Sequence, residues 1–314
     1  MAGFSIGEAV GAGFGLIKRR PLSVFVWGLL TILPAAASMG VMLPMMESMI
    51  DTVAQAGTGT GTDAGSTIMP DGMMAQMMQL QGVMAPLNAL RFVLGVVVYT
   101  AIVRAVVRPK ESRYFSLRLS MDEVRVFVVS LALIVGVIVG MVLLSLLGVA
   151  VGAGLWQIVG PAQGLVTALL VIGCILAALL LGGRLSLLVP ATVRFRTFAF
   201  AEGWTLGKGR SWSLVGVIVL LVLIIIGLEI VVGGLLAGVI LGVLGASGFD
   251  PQTVVNGDNP FESLQGLARA NWPLLAAGIV VGAMLYGMLA AILTAPFASV
   301  VRQLSDAEVA PVTD

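Results

Sequence analysis

Apolar residues along this chain are gathered into blocks of about twenty or more, the length a helix needs to cross the roughly 30 Å hydrocarbon core of a bilayer. The blocks cover residues 21–44, 87–107, 126–151, 164–189 and 272–299, with a further run over 213–246. That last run is too long for one crossing, since as a straight helix it would reach about 50 Å. The expectation is a span over 214–234, followed by a Gly-rich segment, 235–245, that lies at the interface or re-enters the protein. Between the first two blocks, residues 50–70 form a polar connection. Its middle, 56–66, has no hydrophobic period and is rich in Gly and Thr, which predicts a flexible outer loop. The pattern predicts an all-α, polytopic integral membrane protein with six transmembrane helices in one membrane domain over 1–314.

Orientation follows from the basic residues, which stay on the cytoplasmic side of short loops. With the amino terminus inside and six crossings, 15 of the 17 Lys and Arg residues fall on the cytoplasmic side, leaving only Arg91 and Arg269 outside. Both termini are therefore expected in the cytoplasm. Lys18-Arg19-Arg20, an apolar run and Pro34-Ala35-Ala36 imitate a signal peptide, but the patterned lead of twenty residues suits a retained first helix better. Three stretches on the inner side, 4–20, 114–125 and 197–212, are amphipathic. Each precedes an outward-and-back pair of spans, so the chain reads as three hairpins, each fed by a cytoplasmic amphipathic helix.

Composition narrows the chemistry. The chain is 59% hydrophobic and 11% charged, and a water-facing surface cannot be built from that. A net charge of +1 argues against nucleic acid as a partner. Histidine is absent and Cys174 is the only cysteine, which removes the commonest general base and any multi-cysteine metal cluster. No phosphate-binding Gly-rich loop is present, and no nucleophile stands beside a base. The expectation is a protein without a cofactor and without enzymatic activity.

Several residues invite functional readings. Glu229 is a carboxylate inside an apolar run, where it pairs or faces a cavity. It lies about 7 Å below the outer boundary and Arg91 about 6 Å below it, so the two are candidate partners. The alternative is an ion-coupling site in a transporter or channel. Arg104 and Arg184, near inner span ends, suit snorkelling to headgroups or pairing with Asp122, Glu123 or Glu202. Asp122 and Glu123 read as a solvated face. Small residues recur at four-residue spacing at Gly7/Gly11/Gly15, Gly136/Gly140, Gly148/Gly152, Gly234/Gly238/Gly242 and Gly278/Gly282. Such spacing predicts close helix packing, or else an oligomer interface or pore lining. Eleven of the sixteen methionines lie between Met39 and Met84. Met73, Met74, Met77 and Met78 either fill an apolar helix face or offer thioethers to Cu(I).

One set of motifs is familiar. Gly183-Arg184-Leu185-Ser186-Leu187-Leu188-Val189-Pro190-Ala191, then Trp204-Thr205-Leu206-Gly207-Lys208-Gly209-Arg210-Ser211-Trp212, resembles the membrane domain associated with glycerophosphoryl diester phosphodiesterases and related bacterial inner-membrane proteins. Tyr114–Leu119 with Asp122-Glu123, and Phe4–Ala9 before Lys18-Arg19-Arg20-Pro21, agree with it. The resemblance implies a bacterial inner-membrane location but brings no catalytic barrel. Trp204 and Trp212 suit the headgroup level, Arg184, Lys208 and Arg210 suit lipid phosphates, and Pro190 is expected to end the fourth span. These readings together point to a non-enzymatic membrane protein that works through lipids, a membrane-protein partner or a second copy of itself, in envelope maintenance.

Overall fold

The structure, a computed structural model, describes residues 4–57, 71–111, 116–117, 120–159, 163–246 and 272–309. Among them there is no strand. The helices are α1 (Ile6–Arg19), α2 (Pro21–Gly57), α3 (Asp71–Val107), α4 (Met121–Val159), α5 (Gln163–Leu185), α6 (Leu188–Phe195), α7 (Phe200–Leu206), α8 (Ser211–Ala246) and α9 (Trp272–Val309). Six of these are long and apolar enough to cross a membrane.

Several helices outrun the apolar blocks that predicted them. α2 continues to Gly57, so the first part of the expected loop is helical, and 58–70 lies outside the described residues. Helix-tolerant Met, Glu, Ile and Gln fill this extension. α8 is one continuous helix, which replaces the expected separate segment over 235–245. Glycine alone does not break a helix whose remaining residues are Leu, Ile and Val, and no proline falls within it. Of the stretch over 114–125, Met121–Arg125 forms the first turn of α4, and 114–115 and 118–119 lie outside the described residues.

Pro190 acts differently from expectation. α5 ends at Leu185, and Ser186 and Leu187 form a turn before α6 begins. Had the helix continued, Pro190 would have removed a bond to the carbonyl of Ser186 and clashed with it, so the break precedes the proline. Pro190 itself sits in the first turn of α6, where a missing N–H costs nothing. Arg196, left-handed at φ 57°, closes α6. Gly209 at φ +77° supplies the positive dihedral that turns the chain from α7 into α8.

By their contacts the residues group into two units, Met1–Ser23 with Val96–Gly227 and Met288–Asp314, and Val24–Gly95 with Leu228–Gly287. In the first unit Ala9, Leu187, Ala191, Leu206, Leu214, Val300 and Leu304 form one buried apolar cluster, and Val10, Val217, Leu221 and Ile292 a second. α1 bridges the two clusters. A Cβ on Gly13 would come within 2.9 Å of the Ile292 Cα, so α1 and α9 approach through this glycine. In the second unit α2 and α9 meet through Gly28 and Gly287. A Cβ on Gly28 would overlap the carbonyl of Ala283, and one on Gly287 that of Val24.

The glycine stripes named from the sequence do not make these contacts. A Cβ at Gly7, Gly11, Gly15, Gly136, Gly140, Gly148, Gly152, Gly234, Gly238 or Gly278 would meet nothing within 4 Å. Gly282, against the Ile32 side chain at 2.8 Å, is the member that packs closely, and the surroundings of Gly242 lie outside the description. Spacing places small residues on one face, but whether a neighbour fills that face depends on the tertiary arrangement. Along α4 and α5, apolar side chains such as Leu143, Leu146, Leu165 and Leu169 are exposed. Water would penalise that surface, whereas lipid tails match it.

Candidate functional site

Charged side chains of the first unit converge where α3 ends and α4 begins. Ser120 caps α4 as one half of a capping box. Its backbone N–H donates to Oε2 of Glu123 at 2.8 Å, and its hydroxyl donates to the same oxygen at 2.6 Å. The other carboxylate oxygen of Glu123 accepts from Arg104 Nη2 at 2.6 Å. Arg104 also donates to the Ser116 carbonyl at 3.1 Å and to the Ser120 hydroxyl at 3.2 Å. Asp122 accepts from Arg108 and from Arg125, each at 3.3 Å. Arg108 reaches on to the carbonyls of Val193 and Arg194, tying α3 to the end of α6.

Of the two readings of Arg104, pairing with Glu123 holds and snorkelling does not, and Glu123 is buried beside it instead of lying on a solvated face. The Ser120-x-x-Glu123 spacing carried a readable cap signal. Arg104 reaches Glu123 from another helix.

The candidate lipid-contact residues gather on α5, α7 and α8. The Arg184 guanidinium lies over the Trp204 ring at 5.3 Å, and its Nε donates to the Ser211 hydroxyl at 2.8 Å. Arg210 donates to the Leu206 carbonyl at 3.1 Å. Lys208 and Trp212 are exposed, Trp212 at 70%. The structure thus brings Arg184 and Trp204 into contact and leaves Trp212 and Lys208 outward.

Arg91 and Glu229 are not brought together. Both are exposed, and no ion pair joins them among the described residues. Equal depth along two helices says nothing about rotation, which turns a side chain by about 100° per residue. Met73, Met74, Met77 and Met78 all lie on the first turns of α3. Met74 and Met78 are exposed, and the side chains of Met73 and Met77 fall outside the description.

A feature that the sequence reading missed is a cavity of about 390 Å³ between α1, the end of α3 and α9. Glu8, Gly11, Ala12, Gly15, Arg19 and Arg20 line it from α1 and its C-cap, Ala105, Val106 and Pro109 from the α3 side, and Ser299 and Arg302 from α9. Ser5 caps α1, accepting from the Glu8 N–H at 3.3 Å. The Ser5 N–H, however, donates to Gln303 Oε1 at 3.1 Å, so Glu8 does not close a capping box and its carboxylate is left for the cavity. Arg302 donates to the Val106 carbonyl at 3.2 Å, satisfying a C-terminal carbonyl of α3. Arg20 donates to the Ser116 hydroxyl at 3.4 Å.

Set against family models, curated proteins and solved structures, the chain matches none of them. Its functional reading therefore stands on this geometry. Cationic side chains at helix ends, one stacked on an indole, form a surface suited to phosphate oxygens.

Proposed function

We propose that the chain is a non-enzymatic integral protein of the bacterial inner membrane that binds anionic phospholipid at its basic end and acts there in envelope maintenance, alone or with a membrane-protein partner. Six crossings with both termini in the cytoplasm, arranged as three hairpins, put that end at the inner leaflet. The observation that carries the reading is the Arg184–Trp204 stack, braced by Ser211 and flanked by exposed Lys208 and Trp212. An indole fixes a guanidinium at the headgroup level, and the exposed ammonium adds attraction for anionic lipid, worth about 1 kcal/mol per basic residue near such a surface. The resemblance of the 183–212 segment to a membrane domain of bacterial inner-membrane proteins supports the location.

Native mass spectrometry after gentle extraction tests it. Phosphatidylglycerol is expected to remain bound, and a Trp204→Ala, Lys208→Gln, Trp212→Ala triple variant is expected to retain several-fold less. Retention no greater than that of an unrelated membrane protein of similar size would refute the reading.

A further inference from the structure

Two side chains of opposite charge, Glu8 and Arg19, line the α1 cavity. Residues 8, 11, 15 and 19 repeat at three and four positions, so they share one face of α1, while Ala9, Val10, Gly13 and Leu16 are buried. Gly11 and Gly15 keep the middle of that face empty, since a Cβ at either meets nothing within 4 Å. Among the described residues, neither the Glu8 carboxylate nor Arg19 has an ion-pair partner, although both line the same space. Arg20 and Arg302 reach the cavity with part of their donor set engaged on Ser116 and Val106.

We infer that this cavity binds a single phosphate group, held by Arg19 and Arg302. Two guanidinium groups without an ion-pair partner among the described residues, Arg19 and Arg302, outweigh the one carboxylate, and guanidinium N–H groups match phosphate oxygens in geometry as well as charge. The volume, about 390 Å³, lies within the roughly 300–1,000 Å³ typical of small-ligand sites. Glu8 sets the selectivity. Its charge repels a second anionic group, so ligands with one phosphate are favoured over polyphosphorylated ones. The phosphate arrives either on a phospholipid headgroup or on a soluble ester. The inference deepens the lipid-binding proposal at a site separate from the Arg184–Trp204 surface.

The test uses the purified full chain in detergent, with phosphatidylglycerol, glycerol 3-phosphate and inorganic phosphate as separate probes, read by native mass spectrometry and competition. Arg19→Gln is expected to weaken binding roughly ten-fold, the loss of one charge-assisted contact. Gly11→Leu projects into the cavity and is expected to abolish binding. Its fold is preserved because the new Cβ meets no neighbour, and leucine is the better helix former. Gly7→Leu, on the same helix with equally open space but outside the cavity lining, is the control and leaves binding unchanged.

Binding of the lipid alone assigns the site to a headgroup, and binding of glycerol 3-phosphate at comparable strength assigns it to a soluble ester. If no probe binds, or if a folded Gly11→Leu protein binds as wild type does, the inference is overturned. The triple variant at Trp204, Lys208 and Trp212 separates the two proposals, because it lowers lipid retention at that surface while the further loss caused by Gly11→Leu, for whichever probe binds, persists in it.

Discussion

Arg104 and Glu123, nineteen residues apart in the chain, meet at 2.6 Å with both side chains almost wholly withdrawn from the surface. Removing Glu123 leaves the buried Arg104 charge with only the longer Asp122 contact at 3.6 Å, and breaking a buried pair in this way costs up to about 3–5 kcal/mol. Glu123→Ala is therefore expected to destabilise the protein by roughly that amount in a reversible denaturant titration. The double change Arg104→Met, Glu123→Leu should recover most of the loss, because no uncompensated charge remains. Equal destabilisation by the single and double variants would show that the pair is not the source of the effect.

Glycines divide sharply by what surrounds them. Gly28→Leu and Gly287→Leu place side-chain atoms where the carbonyls of Ala283 and Val24 already stand, so both variants are expected to fail to accumulate as folded protein. Gly136→Ala and Gly140→Ala meet open space and should be neutral or stabilising by up to about 1 kcal/mol through helix propensity. Detergent-solution melting curves for the four variants check this. Loss of folding in the Gly136 or Gly140 variants would mean that a second copy of the chain occupies that face.

Glu229 and Arg91 do not form a pair, and both are exposed. Each should tolerate neutralisation on its own. Glu229→Gln and Arg91→Gln are expected to shift stability by no more than about 0.5 kcal/mol, and a double-mutant cycle should return no coupling. A coupling energy near 1 kcal/mol would restore the paired reading.

The proposed orientation has its own check. An alkaline phosphatase fused after Asp314 is expected to be inactive and one inserted between Gly59 and Gly65 active, because the enzyme works only outside the cytoplasm. The reverse pattern would invert the topology and move the basic end to the outer leaflet.

The six long apolar helices were legible from hydrophobic block length alone, because lipid imposes that length on any crossing segment. Helix ends were less legible. Residues such as Met45 and Gln55 carry no apolar block, yet nothing in their chemistry stops a helix already under way. The charge cluster was half visible. Pairing of Arg104 with Asp122 or Glu123 was open to the sequence as one of two readings, whereas the cap made by Ser120 and Glu123 went unread and the arrival of Arg108 depended on how separate helices pack. The cavity was hidden for the opposite reason. Gly11 and Gly15 read as a packing motif, and only tertiary structure reveals that the space beside them is left open.

α9 holds three earlier parts of the chain at once: Gln303 takes the Ser5 N–H, Arg302 caps α3, and Ser305 with Asp306 takes Arg194. All three parts leave the ribosome long before α9 does. Their polar groups must wait, solvated or held by insertion machinery, until α9 arrives, so these contacts form only after α9 has been made.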